Sequence, residues 1–174
     1  MFKLSGWTAD ITVPYRAQAV ICVAPHTSNW DFIIGLFAYR SLGRKASFLM
    51  KDFWFFFPLK YLLHALGGIP VKRSTNNDLT SLIVEDFRKT PRLNLAITPE
   101  GTRKPVDRWK TGFLRIAYKA GVPVQLGILD YPQKKVLIKD EFSPTGNIEA
   151  DLLEIRKYYK TYEKVGRHPD NFIP

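Results

Sequence analysis

The stretch that decides the fold is AQAVICVAPHTSNWD, residues 17–31. Its first eight residues are mostly short or β-branched apolar side chains, which is the pattern of a buried strand. Residues 25–29 are turn and helix-cap residues, and apolar side chains at helical spacing continue from there to residue 42. The stretch therefore predicts a strand, a loop and a helix in direct succession, which is the repeating unit of an α/β sheet.

The rest of the chain repeats this alternation. The further predicted strands cover residues 46–50, 69–71, 94–97, 122–129 and 134–139. The further predicted helices cover residues 52–66, 78–89, 110–120 and 148–159, the first of them broken near Pro58. We see no linker or repeat, so we predict a single α/β domain over residues 1–174, with a mixed, largely parallel sheet flanked by helices.

Composition limits the class of function. The 174 residues are 45% apolar and 24% charged, as in a folded domain rather than a disordered chain. One cysteine excludes a disulfide scaffold, and three histidines leave little material for a metal cluster, so we predict no metal site. The formal charge of +10 and the 14% aromatic content favour an anionic partner, which is nucleic acid, an anionic membrane surface or a phosphorylated substrate.

His26 and Asp31 stand five positions apart across the predicted junction of loop and helix. An Asp in the first turn of a helix can reach back to the imidazole and fix its tautomer, which leaves the other ring nitrogen free to accept a proton. The pair is therefore a candidate general base. The alternative is a loop histidine beside a helix-capping Asp, and the spacing alone does not separate the two.

The string TPEGTR, residues 98–103, directly follows the predicted strand 94–97. Its core PEGTR is expected by chance in only on the order of one in ten thousand chains of this length. It combines a tight Gly turn with the Glu100 carboxylate and the Arg103 guanidinium, which can bind a phosphate through two hydrogen bonds. A turn with a surface Glu–Arg pair is the plainer alternative. Because His26 and Glu100 both follow strands, we expect them at the same edge of the sheet.

A third string, GGIPVKR, covers residues 67–73 and puts Lys72 and Arg73 at the end of a short predicted strand. Together with Arg103, these two cations could form one basic pocket of phosphate size. A solvated strand end is the alternative, and these residues alone favour it.

Taken in chain order, the three strings resemble the motifs of the glycerolipid acyltransferase family typified by 1-acylglycerol-3-phosphate acyltransferase. The His-x4-Asp motif of that family corresponds to residues 26–31, its Gly-rich string ending in Arg to residues 67–73, and its Pro-Glu-Gly-Thr-Arg string to residues 99–103. The apolar, Pro-containing strand at residues 122–127 corresponds to the fourth motif. The resemblance implies a glycerol-3-phosphate acyltransferase-like fold.

The resemblance also implies an activity. A fatty acyl group would pass from acyl-CoA or acyl-carrier protein to the free hydroxyl of a lysophospholipid, with 1-acylglycerol-3-phosphate as the expected acceptor and phosphatidic acid as the product. No cofactor is implied beyond the acyl donor as co-substrate. His26, held by Asp31, is the implied general base, and Cys22 is poorly placed as a nucleophile. The implied substrate-binding residues are Lys72, Arg73, Glu100, Gly101, Thr102 and Arg103.

Two of these implied roles are more specific. The three cations would hold the acceptor phosphate, and Glu100 would position the acceptor or an Arg. The oxyanion of the tetrahedral intermediate needs N–H donors, for which the backbone at residues 69–71 and at residues 100–102 are both candidates.

The most apolar stretch is FWFFFPLKYLLHAL, residues 53–66. It is shorter than the roughly 20 residues that span a bilayer, and the N-terminus shows no signal peptide. The stretch either lies in a membrane interface, with Lys51 and Lys60 towards the lipid headgroups, or forms a core helix under the sheet. We expect a peripheral protein on the cytoplasmic side of the membrane.

Three other functions stay open. A basic nucleic-acid-binding module would account for the charge and the aromatic content, but not for the strand-to-His loop or for PEGTR, so we expect no nucleic-acid partner. Acylation of a different lysolipid, such as an amino-acid lipid or a remodelling acceptor, would use the same catalytic pair. A non-catalytic member of the family that binds lipid is the third alternative.

Overall fold

The computed structural model of this protein describes residues 6–71 and 76–174. Its strands are β1 (Thr8–Ile11), β2 (Gln18–Val23), β3 (Ser47–Lys51), β4 (Gly68–Val71), β5 (Leu93–Ile97), β6 (Val124–Asp130) and β7 (Lys135–Phe142). Its α-helices are α1 (Trp30–Ser41), α2 (Leu59–Ala65), α3 (Asn76–Lys89), α4 (Gly112–Ala120) and α5 (Ile148–Lys160). Short 3₁₀ turns occur at Asp52–Trp54 and Pro169–Asn171.

The described strands form one sheet in the order β1-β7-β6-β2-β5-β3-β4. All neighbouring strands are parallel except β6 and β7, which are antiparallel and adjacent in the chain. Because β2 is parallel to both β5 and β6, the carboxyl ends of these three strands meet at one edge of the sheet. The loops that follow them are therefore neighbours in space.

Side-chain alternation along β2 separates the two faces of the sheet. Val20 and Cys22 belong to the larger core, which includes residues of α3, α4 and α5. Ile21 belongs to a smaller cluster on the opposite face, where it is grouped with Tyr39 of α1. The helices thus cover both faces of the sheet, and α1 lies on the face with the smaller core.

Helix α1 is apolar on nearly all sides. Leu36 and Tyr39 are buried, whereas Trp30, Ile33 and Phe37 are exposed. A helix that is apolar all round is usually covered all round. Within the part of the chain that the structure describes, only one side of α1 is covered.

The predicted fold class is confirmed, with two differences in detail. Strand β1 was not predicted, because its four residues include Asp10 and show no apolar run. Parallel pairing with β7 and an ion pair between Lys139 and Asp10 at 2.8 Å hold it in place. The predicted helix over residues 52–66 is instead a 3₁₀ turn followed by α2, and Pro58 directly precedes the first residue of α2.

Candidate active site

The loop between β2 and α1 carries the first two predicted residues. β2 ends at Val23, and Asp31 lies in the first turn of α1. From there its carboxylate reaches back to the imidazole, so that His26 Nδ1 and Asp31 Oδ2 are 3.1 Å apart. Because an ionised carboxylate can only accept hydrogen bonds, this contact assigns the proton to Nδ1 and leaves Nε2 as an acceptor. The structure thus brings together the pair that the spacing predicted.

Asp31 is buried, and neighbouring donors compensate for its lost hydration. Its side chain is 1% exposed. Oδ2 also accepts hydrogen bonds from the backbone N–H groups of Thr27 and Ser28, both at 2.8 Å. Oδ1 accepts a hydrogen bond from the hydroxyl of Tyr131 at 2.6 Å. The loop is therefore folded around this carboxylate, since a buried carboxylate is costly without such donors.

Glu100 lies beside the same loop. It is buried, and its two carboxylate oxygens lie 2.9 and 3.1 Å from the backbone N–H of His26. Burial is the main cause that raises the pKa of Glu100 to about 8, the nearby Asp31 carboxylate raises it further, and the His26 N–H bond opposes the shift. His26 and Glu100 therefore lie at the same edge of the sheet, as predicted. The contact that Glu100 makes is with the His26 loop rather than with an Arg of the described residues.

The PEGTR string forms a tight turn. Gly101 N donates to Thr98 O at 3.2 Å, and Gly101 has a φ of +65°, which glycine adopts without steric cost. A second bond, from Lys110 N to Pro99 O at 2.7 Å, fastens the turn to the segment before α4. The turn therefore presents Glu100 from a fixed backbone.

The predicted phosphate-binding cations are only partly described. Lys72 and Arg73 lie outside the described residues, so the pocket that they would form with Arg103 stays a prediction. Arg103 is exposed beyond the turn. Thr102 is half-buried, and its hydroxyl accepts a hydrogen bond from Lys104 N at 3.2 Å.

Tyr131 is a residue of the site that the sequence analysis missed. It directly follows β6, whose carboxyl end lies at the same edge of the sheet as that of β2. The rule that placed His26 and Glu100 at this edge applies equally to the first residue after β6. The predicted strand 122–129 ends two residues before Tyr131, so the rule directs attention to this loop but does not single out Tyr131 without the order of the strands.

A cavity of about 330 Å³ lies between α1 and the sheet, and His26 and Asp31 form part of its wall. The rest of the wall is mostly apolar. Helix α1 contributes Phe32 and Gly35, and a Cβ added at Gly35 would meet no atom within 4 Å. The strands contribute Ile21, Val23, Phe48, Leu49, Ile97 and Ile138, among others. A cavity of this size and lining is typical of a site for a small apolar ligand or for part of a larger one.

Cys22 is not placed to act as a nucleophile. It is buried in β2, and burial raises the pKa of its thiol well above the ordinary value.

Within residues 6–71 and 76–174, no three His, Cys, Asp or Glu side chains are grouped so that they could hold a metal ion.

The segment predicted to be either a membrane-interface element or a core helix is mostly exposed, so the core-helix alternative is wrong. Phe53 and Phe57 are each 76% exposed. Leu63 is buried, and Phe55 is half-buried with its ring packed against His64. We call the exposed apolar residues of this segment and of α1 the aromatic surface: Trp30, Phe32, Ile33, Phe37, Phe53, Trp54, Phe56, Phe57, Tyr61 and Leu62.

The two parts of the aromatic surface are adjacent. Arg40 at the end of α1 donates a hydrogen bond from Nη2 to the backbone O of Ala65, the last residue of α2, at 2.9 Å.

None of the helices in the described ranges has the length and apolarity to cross a bilayer.

The sequence matches the model of the Acyltransferase family over residues 10–126. This range is more than half of the 174 residues, and it contains both the His26–Asp31 loop and the PEGTR turn. The chain therefore belongs to the Acyltransferase family, which confirms the family that the motifs predicted. Membership of this family supports acyl transfer as the class of reaction.

Among solved structures, the fold is similar to the crystal structure of the 1-acyl-sn-glycerophosphate (LPA) acyltransferase PlsC from Thermotoga maritima, with a TM-score of 0.64. The two sequences are 19% identical, and the match covers 94% of this chain and 75% of that one. At this level of identity the likeness shows a shared fold. No curated protein matches this sequence significantly.

The raised pKa of Glu100 predicts a pH dependence of stability. Between its ordinary pKa of 4.5 and about 8, Glu100 is ionised in the unfolded chain and protonated in the folded one. The folded state binds more protons in this window, so its free energy of unfolding falls as pH rises, by at most about 1.4 kcal/mol per pH unit. Glu100→Gln cannot titrate and keeps an acceptor for His26 N, so urea unfolding from pH 5 to 9 should show a flatter curve.

The exposed Glu154 on α5 provides the matched control for this experiment. Glu154→Gln should leave the wild-type pH dependence unchanged. Equal slopes for wild type and Glu100→Gln would show that Glu100 does not titrate differently in the folded and unfolded states.

Proposed function

We propose that the protein transfers a fatty acyl group from a thioester donor to the free hydroxyl of a lysophospholipid, with 1-acylglycerol-3-phosphate as the acceptor and phosphatidic acid as the product. The observation that carries this proposal is the His26–Asp31 pair in the wall of an apolar cavity, in a chain of the Acyltransferase family. PlsC from Thermotoga maritima is a 1-acyl-sn-glycerophosphate acyltransferase, and its similar fold supports the choice of acceptor.

In the proposed mechanism, His26 acts as a general base. Its Nε2 takes the proton of the acceptor hydroxyl while Nδ1–H stays bonded to Asp31, which stabilises the imidazolium that forms. The alkoxide oxygen attacks the thioester carbonyl and forms a tetrahedral oxyanion. Its collapse breaks the C–S bond, and the departing thiolate takes the proton back from His26. No acyl-enzyme is needed, in keeping with the burial of Cys22.

The acceptor phosphate is bound, in this proposal, by Lys72, Arg73 and Arg103. The exposed Arg103 lies three residues beyond Glu100, whose carboxylate is bonded to the His26 loop. Because Glu100 is bonded to the loop of the base, a guanidinium three residues further along the turn is suited to hold a phosphate while the hydroxyl of the same molecule reaches the imidazole. Gly101 and Thr102 supply the turn that carries Arg103.

The cavity under α1 is proposed to hold the acyl chain. Its apolar wall removes methylene groups from water, which stabilises each of them by about 0.8 kcal/mol. The wall includes His26, so a chain bound there has its carbonyl end near the base. The donor is acyl-CoA or acyl-carrier protein, since both present the chain as a thioester.

The first test is an acyl-transfer assay with purified protein. Labelled acyl-CoA or acyl-carrier protein is offered with a panel of lysolipids that includes 1-acylglycerol-3-phosphate, an amino-acid lysolipid and a remodelling acceptor. We expect turnover with 1-acylglycerol-3-phosphate, and we expect His26→Ala to lower kcat by about 10²–10⁴-fold, the usual contribution of a general base.

The matched control is His168→Ala, because the His168 side chain is exposed and no role is assigned to it. It should keep wild-type turnover. Full activity of His26→Ala would exclude the general-base role. Turnover only with another lysolipid would replace 1-acylglycerol-3-phosphate as the proposed acceptor. Binding of lipid without turnover would favour a non-catalytic member of the family.

A second prediction concerns the length of the acyl chain. Gly35 lines the cavity, and the space beside it is open. Gly35→Leu should fill part of the cavity and shift the preference towards shorter donors, measured as kcat/KM over a series of acyl-CoA lengths. The control is Gly112→Leu, at the start of α4 on the opposite face, where an added Cβ also meets no atom within 4 Å. An unchanged preference in Gly35→Leu would contradict the placement of the chain.

The protein is further proposed to dock on an anionic membrane from the cytoplasmic side, through the aromatic surface. Phe32 of α1 both lines the cavity and is partly exposed, so this surface and the cavity adjoin each other. Lys51 precedes this segment and Lys60 lies within it, and Asp52 is the one acidic residue of residues 51–66. Aromatic rings beside basic residues are typical of elements that lie in a membrane interface.

We predict that Phe57→Asp weakens binding to vesicles of phosphatidylcholine and phosphatidylglycerol. Burying one such side chain in the interface is worth about 1.5–3 kcal/mol, so the affinity in a sedimentation assay should fall roughly 10-fold or more. Because Phe57 is 76% exposed, the variant should unfold at the wild-type temperature.

The matched control is Leu153→Asp, on α5 at the opposite face of the sheet and 57% exposed. It introduces the same charge without touching the aromatic surface and should bind vesicles as wild type does. Equal sedimentation of all three proteins would mean that the aromatic surface does not contact lipid.

A further inference from the structure

We infer that Tyr131 is a positioning residue of the acyl-transfer site, which orients the Asp31 carboxylate and through it the tautomer of His26. The inference rests on the proposed function, because it assigns a role within the same site. Its basis is the hydrogen bond from the Tyr131 hydroxyl to Asp31 Oδ1 at 2.6 Å, between residues 100 positions apart in the chain.

The two oxygens of Asp31 have different partners. Oδ2 takes all three contacts within the loop, from the backbone N–H groups of Thr27 and Ser28 and from His26 Nδ1. Oδ1 has Tyr131 as its only donor among the described residues. Without that donor, Oδ1 would be a buried acceptor with no partner, and the carboxylate would gain by rotating towards other donors. The phenol therefore holds the plane of the carboxylate in the orientation in which one oxygen faces the imidazole.

Tyr131 is itself held in place. Its backbone N donates to the carbonyl of Val165 at 2.9 Å. Its ring packs edge-to-face against Trp7, with the ring centroids 5.0 Å apart and the planes at 89°. Such a pair restrains the ring beyond the effect of burial alone. The hydroxyl is thus presented to Asp31 from a packed position rather than by a mobile side chain.

The phenol also keeps its proton. Burial raises the pKa of Tyr131 well above its ordinary value, and the bond to Asp31 raises it further. The neighbouring Arg167 guanidinium acts in the opposite direction but does not outweigh these effects. Tyr131 therefore keeps the proton that it donates to Asp31, and Glu100 is the other ionisable group beside Asp31.

The consequence for catalysis lies in the imidazole. A carboxylate held with an oxygen towards Nδ1 favours the Nδ1–H tautomer, in which Nε2 can accept the proton of the acceptor. Loss of this orientation leaves more of the opposite tautomer, whose Nε2 carries a proton and cannot act as a base. The expected change is in kcat rather than in substrate binding.

The test uses Tyr131→Phe in the full chain, which removes one oxygen and keeps the ring. We expect kcat to fall roughly 10-fold, the usual effect of losing one hydrogen bond to a charged group, with KM for donor and acceptor within about twofold. With ¹⁵N-labelled histidine, the ring resonances of His26, assigned through His26→Ala, should show a smaller fraction of the Nδ1–H tautomer.

The control is Tyr158→Phe, because the Tyr158 hydroxyl donates to the Asp140 carboxylate at 2.9 Å away from the site. The chemical change is the same, and neither kcat nor the tautomer of His26 should respond. Thermal unfolding curves should show that both variants are folded at the assay temperature.

The outcomes are distinct. An unchanged tautomer fraction in Tyr131→Phe overturns the inference, whatever happens to kcat. A changed fraction with an unchanged kcat also overturns it if His26→Ala is inactive. If instead His26→Ala keeps full activity, the proposed general base fails, and the tautomer measurement still decides whether Tyr131 orients the Asp31–His26 pair.

Discussion

The site depends on one buried carboxylate. Residues 24–28 belong to no helix or strand, so their backbone groups need partners from elsewhere. Asp31 supplies two of these partners, because its Oδ2 accepts from two successive N–H groups of this loop and also from the imidazole. The same contacts compensate for the hydration that the carboxylate loses on burial. Loop, ring and carboxylate are therefore mutually dependent, and each keeps its place only while the others do.

Much of this arrangement follows from the sequence by simple rules. The strand-to-helix pattern of residues 17–42 places His26 in a loop and Asp31 in the first helical turn, and the spacing brings them into contact. The position of Glu100 after β5 places it at the same edge of the sheet. These rules do not predict the order of the strands in the sheet. The contact between Tyr131 and Asp31 depends on that order, because β6 lies next to β2.

Other features depend on contacts that no local pattern encodes. Strand β1 is too short and polar to be recognised by itself, and it exists because β7 offers it a partner. Glutamate is usually a surface residue, yet Glu100 is buried because the backbone N–H of His26 donates a hydrogen bond to it. In residues 53–66 the composition is equally suited to a core or to an interface. The structure leaves most of its side chains exposed.

The sheet has two unequal faces. On the side of α3, α4 and α5 the side chains pack into one continuous core, whereas the side under α1 contains the apolar cavity of about 330 Å³. A ligand that binds there to the folded chain and not to the unfolded one adds to the free energy of unfolding. A hydrocarbon tail in that volume would complete the interior. Ligand occupancy and resistance to unfolding are then thermodynamically linked, and the apo protein is the less robust of the two forms.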